Sequence, residues 1–205
     1  METEFEAKFY PVEKKEVRKR LKRIGATLEI PERKMKRYIA DCKANDLLDR
    51  KNYIRVRDEG NLVRLSFKET AQEGGDLADQ KELDVEVSDM EKTVEILKLS
   101  GIKFNRYQET LREEWEYEGA LITIDTWPGL KPYVEIEAAS EGEVKKIAEK
   151  MDFEWDKKII TAAAEVYSKV YGMDINKVLD KISDLTFENN PFSGMSMKWE
   201  GEKKD

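Results

Sequence analysis

Residues 2–9, Glu-Thr-Glu-Phe-Glu-Ala-Lys-Phe, constrain the fold more than any other stretch of the chain. On the two-residue period of a β-strand, Glu2, Glu4, Glu6 and Lys8 share one face and Thr3, Phe5, Ala7 and Phe9 share the other. An ordinary half-buried strand keeps its charges for bulk water. Here the charged face carries both signs, and the arrangement returns down the chain. Tyr53, Arg55 and Arg57 alternate with Ile54 and Val56, and Arg64, Ser66 and Lys68 with Val63, Leu65 and Phe67. Glu82, Asp84 and Glu86 alternate with Leu83, Val85 and Val87, and Tyr133, Glu135 and Glu137 with Val134 and Ile136. Arg106, Gln108, Thr110 and Arg112 keep one register in a long strand over 103–115, and Leu121, Thr123 and Asp125 share a face in the next. A single strand of this kind reads as a solvated sheet face. Its recurrence points to a shared interior: an α+β fold with an eight-stranded antiparallel closed barrel, charged within. The apolar faces then turn outward beneath helices.

The order strand, helix, strand, strand, strand occurs twice, over 2–69 and 81–138. In the first helix Val12, Val17, Leu21 and Ile24 make an apolar stripe that Gly25 ends; the second runs over 90–99. A further strand is expected over 35–41, and further helices over 141–151, 161–171 and 176–184. Residues 70–80, with Gly74 and Gly75, read as a mobile loop. The expected organisation is one domain over 1–185 and a polar tail over 186–205. Arg37 and Lys131 are undecided between lumen and surface, and Trp115 and Trp127 read as packing residues.

Charge placed inside a protein needs a reason. Desolvating an unpaired ion is prohibitive, and mutually paired ions are seldom more stabilising than apolar residues of similar volume. Inward acids (Glu2, Glu4, Glu6, Glu82, Asp84, Glu86, Asp125, Glu135, Glu137) suit a hard divalent cation such as Mg²⁺ or Mn²⁺. Inward bases (Lys8, Arg55, Arg57, Arg64, Lys68, Arg106, Arg112) suit phosphate oxygens. Both in one hollow suggest a metal–phosphate substrate.

Composition narrows the chemistry. The absence of histidine excludes histidine triads and a histidine general base. A net charge of −7 argues against a nucleic-acid partner, and no apolar run is long enough to span a bilayer, which argues against a membrane one. The one cysteine, Cys42, cannot form an intrachain disulfide and reads as structural or incidental; a cytoplasmic location is expected.

The motif set resembles the CYTH superfamily, the triphosphate tunnel metalloenzymes. Glu4-Phe-Glu6-Ala-Lys8 matches its Glu-x-Glu-x-Lys signature, and Arg55-Val-Arg57 resembles its Arg-x-Arg. Leu65-Ser-Phe-Lys68 resembles its Leu-Thr-x-Lys strand, and Asp125 with Glu135-Ile-Glu137 its late acidic positions. The resemblance implies hydrolysis of a small-molecule triphosphate, inorganic or organic such as thiamine triphosphate. It implies Lys8, Arg55, Arg57, Lys68, Arg106 and Arg112 on phosphate, and Glu4, Glu6, Glu82, Asp125, Glu135 and Glu137 on Mg²⁺ or Mn²⁺. Lys8, Glu135 and Glu137 are the expected catalytic residues, in a monomer or homodimer. Alternatives are a class IV adenylate cyclase and a non-catalytic polyphosphate-binding domain. One departure is Thr110-Leu-Arg112 in place of Lys-x-Arg, for which Arg106 on the same face is the expected compensation.

Overall fold

The computed structural model describes residues 1–41, 52–69 and 75–199. In chain order the elements are β1 (Glu2–Thr3), β2 (Phe5–Phe9), α1 (Lys14–Ile24), β3 (Thr27–Asp41), β4 (Asn52–Asp58) and β5 (Val63–Glu69). They continue with β6 (Lys81–Val87), α2 (Met90–Leu99), β7 (Arg106–Tyr117), β8 (Ala120–Thr126) and β9 (Tyr133–Ala138). The chain then forms α3 (Glu141–Lys150), α4 (Ala163–Tyr171), α5 (Ile175–Lys181) and β10 (Asp184–Leu185). Strand order is β1-β6-β5-β4-β3-β7-β8-β9-β2, antiparallel throughout, with β10 pairing in parallel on β7.

The two ends of this path are consecutive in sequence. Thr3 pairs with Lys81 on β6, Phe5 pairs with Ala138 on β9, and Glu4 N donates to Gln80 O at 3.0 Å between them. The first segment thus changes neighbour at Glu4 and draws the sheet into a nearly closed barrel. The expected eight strands become nine because of this one interruption.

Register brings opposite charges face to face on the inside. Lys8 lies across from Glu135, Lys68 from Glu82 and Arg112 from Asp125. A one-residue slip would send each set to the outer surface, so the covered outer face holds the register in place. That face is apolar. Ala7, Phe9, Ile122, Ile124, Val134 and Ile136 pack against Val17 and Leu21 of α1 and Val144, Ile147 and Ala148 of α3. Each such buried aliphatic contributes about 1.5–3 kcal/mol. The left-handed Gly25 (φ 88°) ends α1, and the Ser140 Oγ accepts from Glu143 N to start α3. On the opposite side α2 covers Val56 through Met90 and Val94.

The helical cover is incomplete where full cover was expected. Leu83 and Val85 on β6 are 58% and 54% exposed, because α2 packs on β4 and β5 and reaches no further. Of the stretch read as a mobile loop, 70–74 lie outside the described residues, as does Cys42. Its remainder is packed: Leu77–Asp79 forms a 3₁₀ turn, Leu77 is buried, and Gln80 Nε2 donates to Glu6 O at 3.1 Å. The strand expected over 35–41 begins eight residues earlier, at Thr27, and runs through Pro31 with register shifts on either side of Ile30.

The C-terminal helices stand over one end of the barrel. Gln108 Nε2 donates to Ile182 O at 2.9 Å, and the Tyr167 hydroxyl donates to Pro128 O at 2.6 Å. Phe192 packs into the same cluster against Tyr167 and Tyr171, and Trp199 stacks on Tyr10. Among the described residues no helix is long and apolar enough to cross a membrane.

Candidate active site in the barrel interior

A cavity of about 330 Å³ occupies the barrel, and its wall is mostly charged. Every strand from β2 to β9 contributes side chains to it. Of the residues expected inside, Glu4, Glu6, Lys8, Arg55, Arg57, Arg64, Lys68, Glu82, Asp84, Arg106, Arg112, Glu135 and Glu137 line it. Asp125 lies fully buried behind Arg112, outside the lining, and Glu2 and Glu86 are exposed.

One side of the cavity mixes carboxylates with lysines. Lys68 Nζ stands 2.6 Å from Glu4, 3.2 Å from Glu82 and 3.7 Å from Glu6. Lys8 Nζ donates to Glu6 and stands 3.6 Å from Glu135. Burial presses both ammonium groups down, but the surrounding carboxylates outweigh it and hold both above the ordinary lysine value. The acids divide. Burial opposes the charge on Glu6 and Glu82, yet Lys68 with Lys8 or Arg55 keeps both well below the usual carboxylate range. Burial and a hydrogen bond with Glu82 push Glu4 up to about 8. Burial and repulsion from Glu6 raise Glu135 and Glu137 as well.

The other side is built from arginines. Arg55 Nη2 donates to Glu82 at 2.5 Å and to Ser66 Oγ at 3.3 Å. Arg112 makes two bonds of 2.8 Å to Asp125 and a third, of 2.5 Å, to Glu135. Arg57 donates to Glu59 at 2.9 and 2.5 Å. Arg37 differs from these. Its Nη2 donates to Thr110 Oγ1 at 2.6 Å and its guanidinium lies 4.7 Å from the centre of the Trp127 ring, but its Nε has no acceptor. Among the described residues no carboxylate pairs with it, and it is 6% exposed. Burial and the Arg57, Arg55 and Arg112 cations press it down to about 9. A guanidinium keeps its proton under such pressure, so the strain stays in the structure as repulsion that an anion would relieve.

Of the charged lining residues, the sequence left Arg37 undecided between lumen and surface, and Glu59 and Glu114 escaped it. Arg37 sits in a strand whose two faces are both charged. Glu59 belongs to a turn, yet its side chain curls inward to Arg57 and Arg64 and is 5% exposed. Arg106, expected to compensate for Thr110, is engaged by Asp41, which also accepts from Asn105. Trp127 is 8% exposed, with Arg37 over its face and the edge of Tyr167 against it. The carboxylates Glu4, Glu6, Glu82, Glu135 and Glu137 are hard oxygen donors within reach of one another's charge, which is the donor chemistry of Mg²⁺ or Mn²⁺. Among the described residues no three acidic groups already converge as a ready ligand set, because Lys8 and Lys68 stand between them.

Comparison with solved structures returns the same barrel. The chain is similar to a conserved hypothetical protein from Pyrococcus furiosus (19% identity, TM-score 0.64), covering 78% of this chain and 96% of that one. It is also similar to a candidate adenylate cyclase from Vibrio parahaemolyticus (10% identity, TM-score 0.66; 82% and 98% covered). A third is HpAC1 from Hippeastrum, a candidate adenylyl cyclase described as having a dominant triphosphatase activity (14% identity, TM-score 0.52; 82% and 94% covered). Comparison with curated proteins finds no match. The CYTH domain model matches residues 2–166, from the segment that closes the barrel into α4. The chain belongs to the CYTH domain family.

Proposed function

We propose that this chain hydrolyses the terminal anhydride of a small triphosphate bound in the barrel, with Mg²⁺ or Mn²⁺ as cofactor. The observation that supports this best is the unequal neutralisation of the lumen. Arginines gather on one side, where the buried Arg37 has no counter-ion among the described residues, and raised carboxylates gather on the other. A polyphosphate carrying a divalent cation supplies what each side lacks.

In this reading Arg55, Arg57, Lys68 and Arg112 hold phosphate oxygens, and Lys8 stabilises charge as it develops on the bond that breaks. Glu4, Glu6, Glu82 and Glu135 hold the cation, with Asp125 steering Arg112 from behind. When bound, the ion neutralises phosphate oxygens and acidifies a nearby water. Glu137 has no hydrogen bond or ion pair among the described residues, and burial raises its pKa. It is the carboxylate left to take the proton of the attacking water. Positioning and electrostatics then supply most of the rate.

An adenylate cyclase needs a platform for adenine. Trp127, the largest of the aromatic residues that line the cavity, has its face against Arg37 and the Tyr167 edge beside it. The cavity volume also sits at the lower end of the roughly 300–1,000 Å³ typical of organic ligands. Both features favour the hydrolase. The test is incubation with tripolyphosphate, thiamine triphosphate and ATP in Mg²⁺ or Mn²⁺, with assays for phosphate, pyrophosphate and cyclic AMP. Phosphate release is expected. Cyclic AMP with pyrophosphate would establish the cyclase, and binding without turnover at any metal concentration would establish a non-catalytic domain.

A further inference from the structure

Among the described residues, Arg37 is a buried lumen cation that no carboxylate answers. It reaches the cavity from β3, where its Cα partners are Arg57 on one side and Gln108 on the other. Two cation-bearing strands therefore meet at this position, and burial forbids water from screening them. The guanidinium is nonetheless held firmly. Thr110, fully buried on β7, accepts one of its hydrogens at 2.6 Å, and the Trp127 ring supports its plane. Its Nε hydrogen is buried without an acceptor, and Arg37 is one of the residues that line the cavity. A side chain kept only for packing would gain stability by losing this charge. Fixing the charge with a threonine and an indole while withholding a carboxylate makes sense for a group that receives an anion.

We infer that Arg37 is a phosphate contact of the tunnel, anchored by Thr110 and Trp127, whose guanidinium supplies a positive charge and N–H donors to the phosphate oxygens of the substrate. The inference rests on the triphosphate reading of the tunnel and adds a residue to it. A guanidinium offers several N–H donors in a fixed plane, where an ammonium acts as a point charge. Because Thr110 Oγ1 already lies against the guanidinium, a lysine placed at 110 would bring its ammonium to the same region of the cavity.

The experiment uses the full chain without metal, so that nothing turns over, and reads binding of tripolyphosphate by calorimetry, with thermal melting on the same samples. Arg37→Met keeps the aliphatic stem against Trp127 and removes the charge. It is expected to weaken tripolyphosphate binding by about 10–100-fold. It is also expected to raise the melting temperature of the free protein, which loss of a merely structural arginine would lower. Arg37→Lys should recover part of the affinity, and Arg37→Met with Thr110→Lys should recover more than Arg37→Met alone. Thr110→Val, which preserves Arg37 and removes its anchor, should weaken binding by a few-fold even if the Arg37 variants fold poorly. Wild-type protein that binds while Arg37→Met binds equally well would overturn the role of Arg37 and leave the tunnel reading standing. Wild-type protein that does not bind tripolyphosphate would overturn both.

Discussion

The two sides of the cavity answer the same problem differently. On the lysine side, each ammonium lies among several carboxylates: Lys68 touches Glu4, Glu6 and Glu82, and Lys8 touches Glu6 and Glu135. On the arginine side, Arg55, Arg57 and Arg112 have carboxylate partners, but Arg37 has a hydroxyl and a ring. The difference teaches where a ligand enters the energetics. The lysine side is charge-compensated, and excess negative charge there is absorbed by carboxylates whose pKa values rise. The arginine side cannot absorb its excess, because guanidinium groups do not deprotonate. In the proposed reading a negatively charged ligand is therefore drawn to the arginines, and a divalent cation to the raised carboxylates.

The comparison breaks most sharply at Glu6. Glu6→Gln should lower turnover at least about 100-fold while leaving metal-free tripolyphosphate binding largely intact, checked by phosphate release and by calorimetry. Near-normal turnover would mean that the lysine side holds no catalytic cation. Next comes Arg112, whose removal leaves the fully buried Asp125 without its cation and Glu135 with Lys8 alone. Arg112→Met is expected to lose about 3–5 kcal/mol in denaturant unfolding, opposite in sign to Arg37→Met, because a buried pair is broken in one case and a bare charge removed in the other. Arg57→Ala should weaken substrate binding about 10–100-fold, read as a rise in KM larger than the fall in kcat.

A smaller effect appears with pH. Glu4 holds its proton up to about 8 in the folded chain against an ordinary value of 4.5. The folded state thus binds that proton more tightly than the unfolded state. Its contribution to stability is fully present below about 4.5 and is lost as pH rises through about 8. In metal-free protein, Glu4→Gln should flatten the decline in melting temperature over this window. An unchanged pH profile would show that Glu4 is ionised throughout.

Much of the interior was legible because alternation in a strand is geometry. Wherever one face is charged and the other apolar, as in Glu82–Val87 or Tyr133–Glu137, period two separates lumen from core without knowledge of the neighbours. Arg37 was not legible for the same reason. Lys34 and Lys36 stand on the outer face of β3 and Arg33, Met35 and Arg37 on the inner one, so the two faces look alike until pairing with β4 and β7 assigns them. Glu59 was hidden because a turn has no period. The outer cover was misjudged at β6: apolar alternation marks a face that would gain from burial, but no helix among the described residues covers Leu83 and Val85. The repeated strand–helix–three-strand order is met in the fold, by β2-α1-β3-β4-β5 and then by β6-α2-β7-β8-β9, but the helix α3 that follows β9 has no counterpart after β5 among the described residues. That asymmetry depends on where the chain goes next, which neither half encodes.

The most direct measurement is the melting temperature of the metal-free wild-type chain with increasing tripolyphosphate, beside orthophosphate at equal ionic strength. A ligand that binds the folded state stabilises it by about 2.7 kcal/mol at a hundred times its Kd. Tripolyphosphate is expected to give a saturable rise of several degrees that orthophosphate does not match. Identical, small shifts with both salts would show that the arginines of the cavity await no polyphosphate.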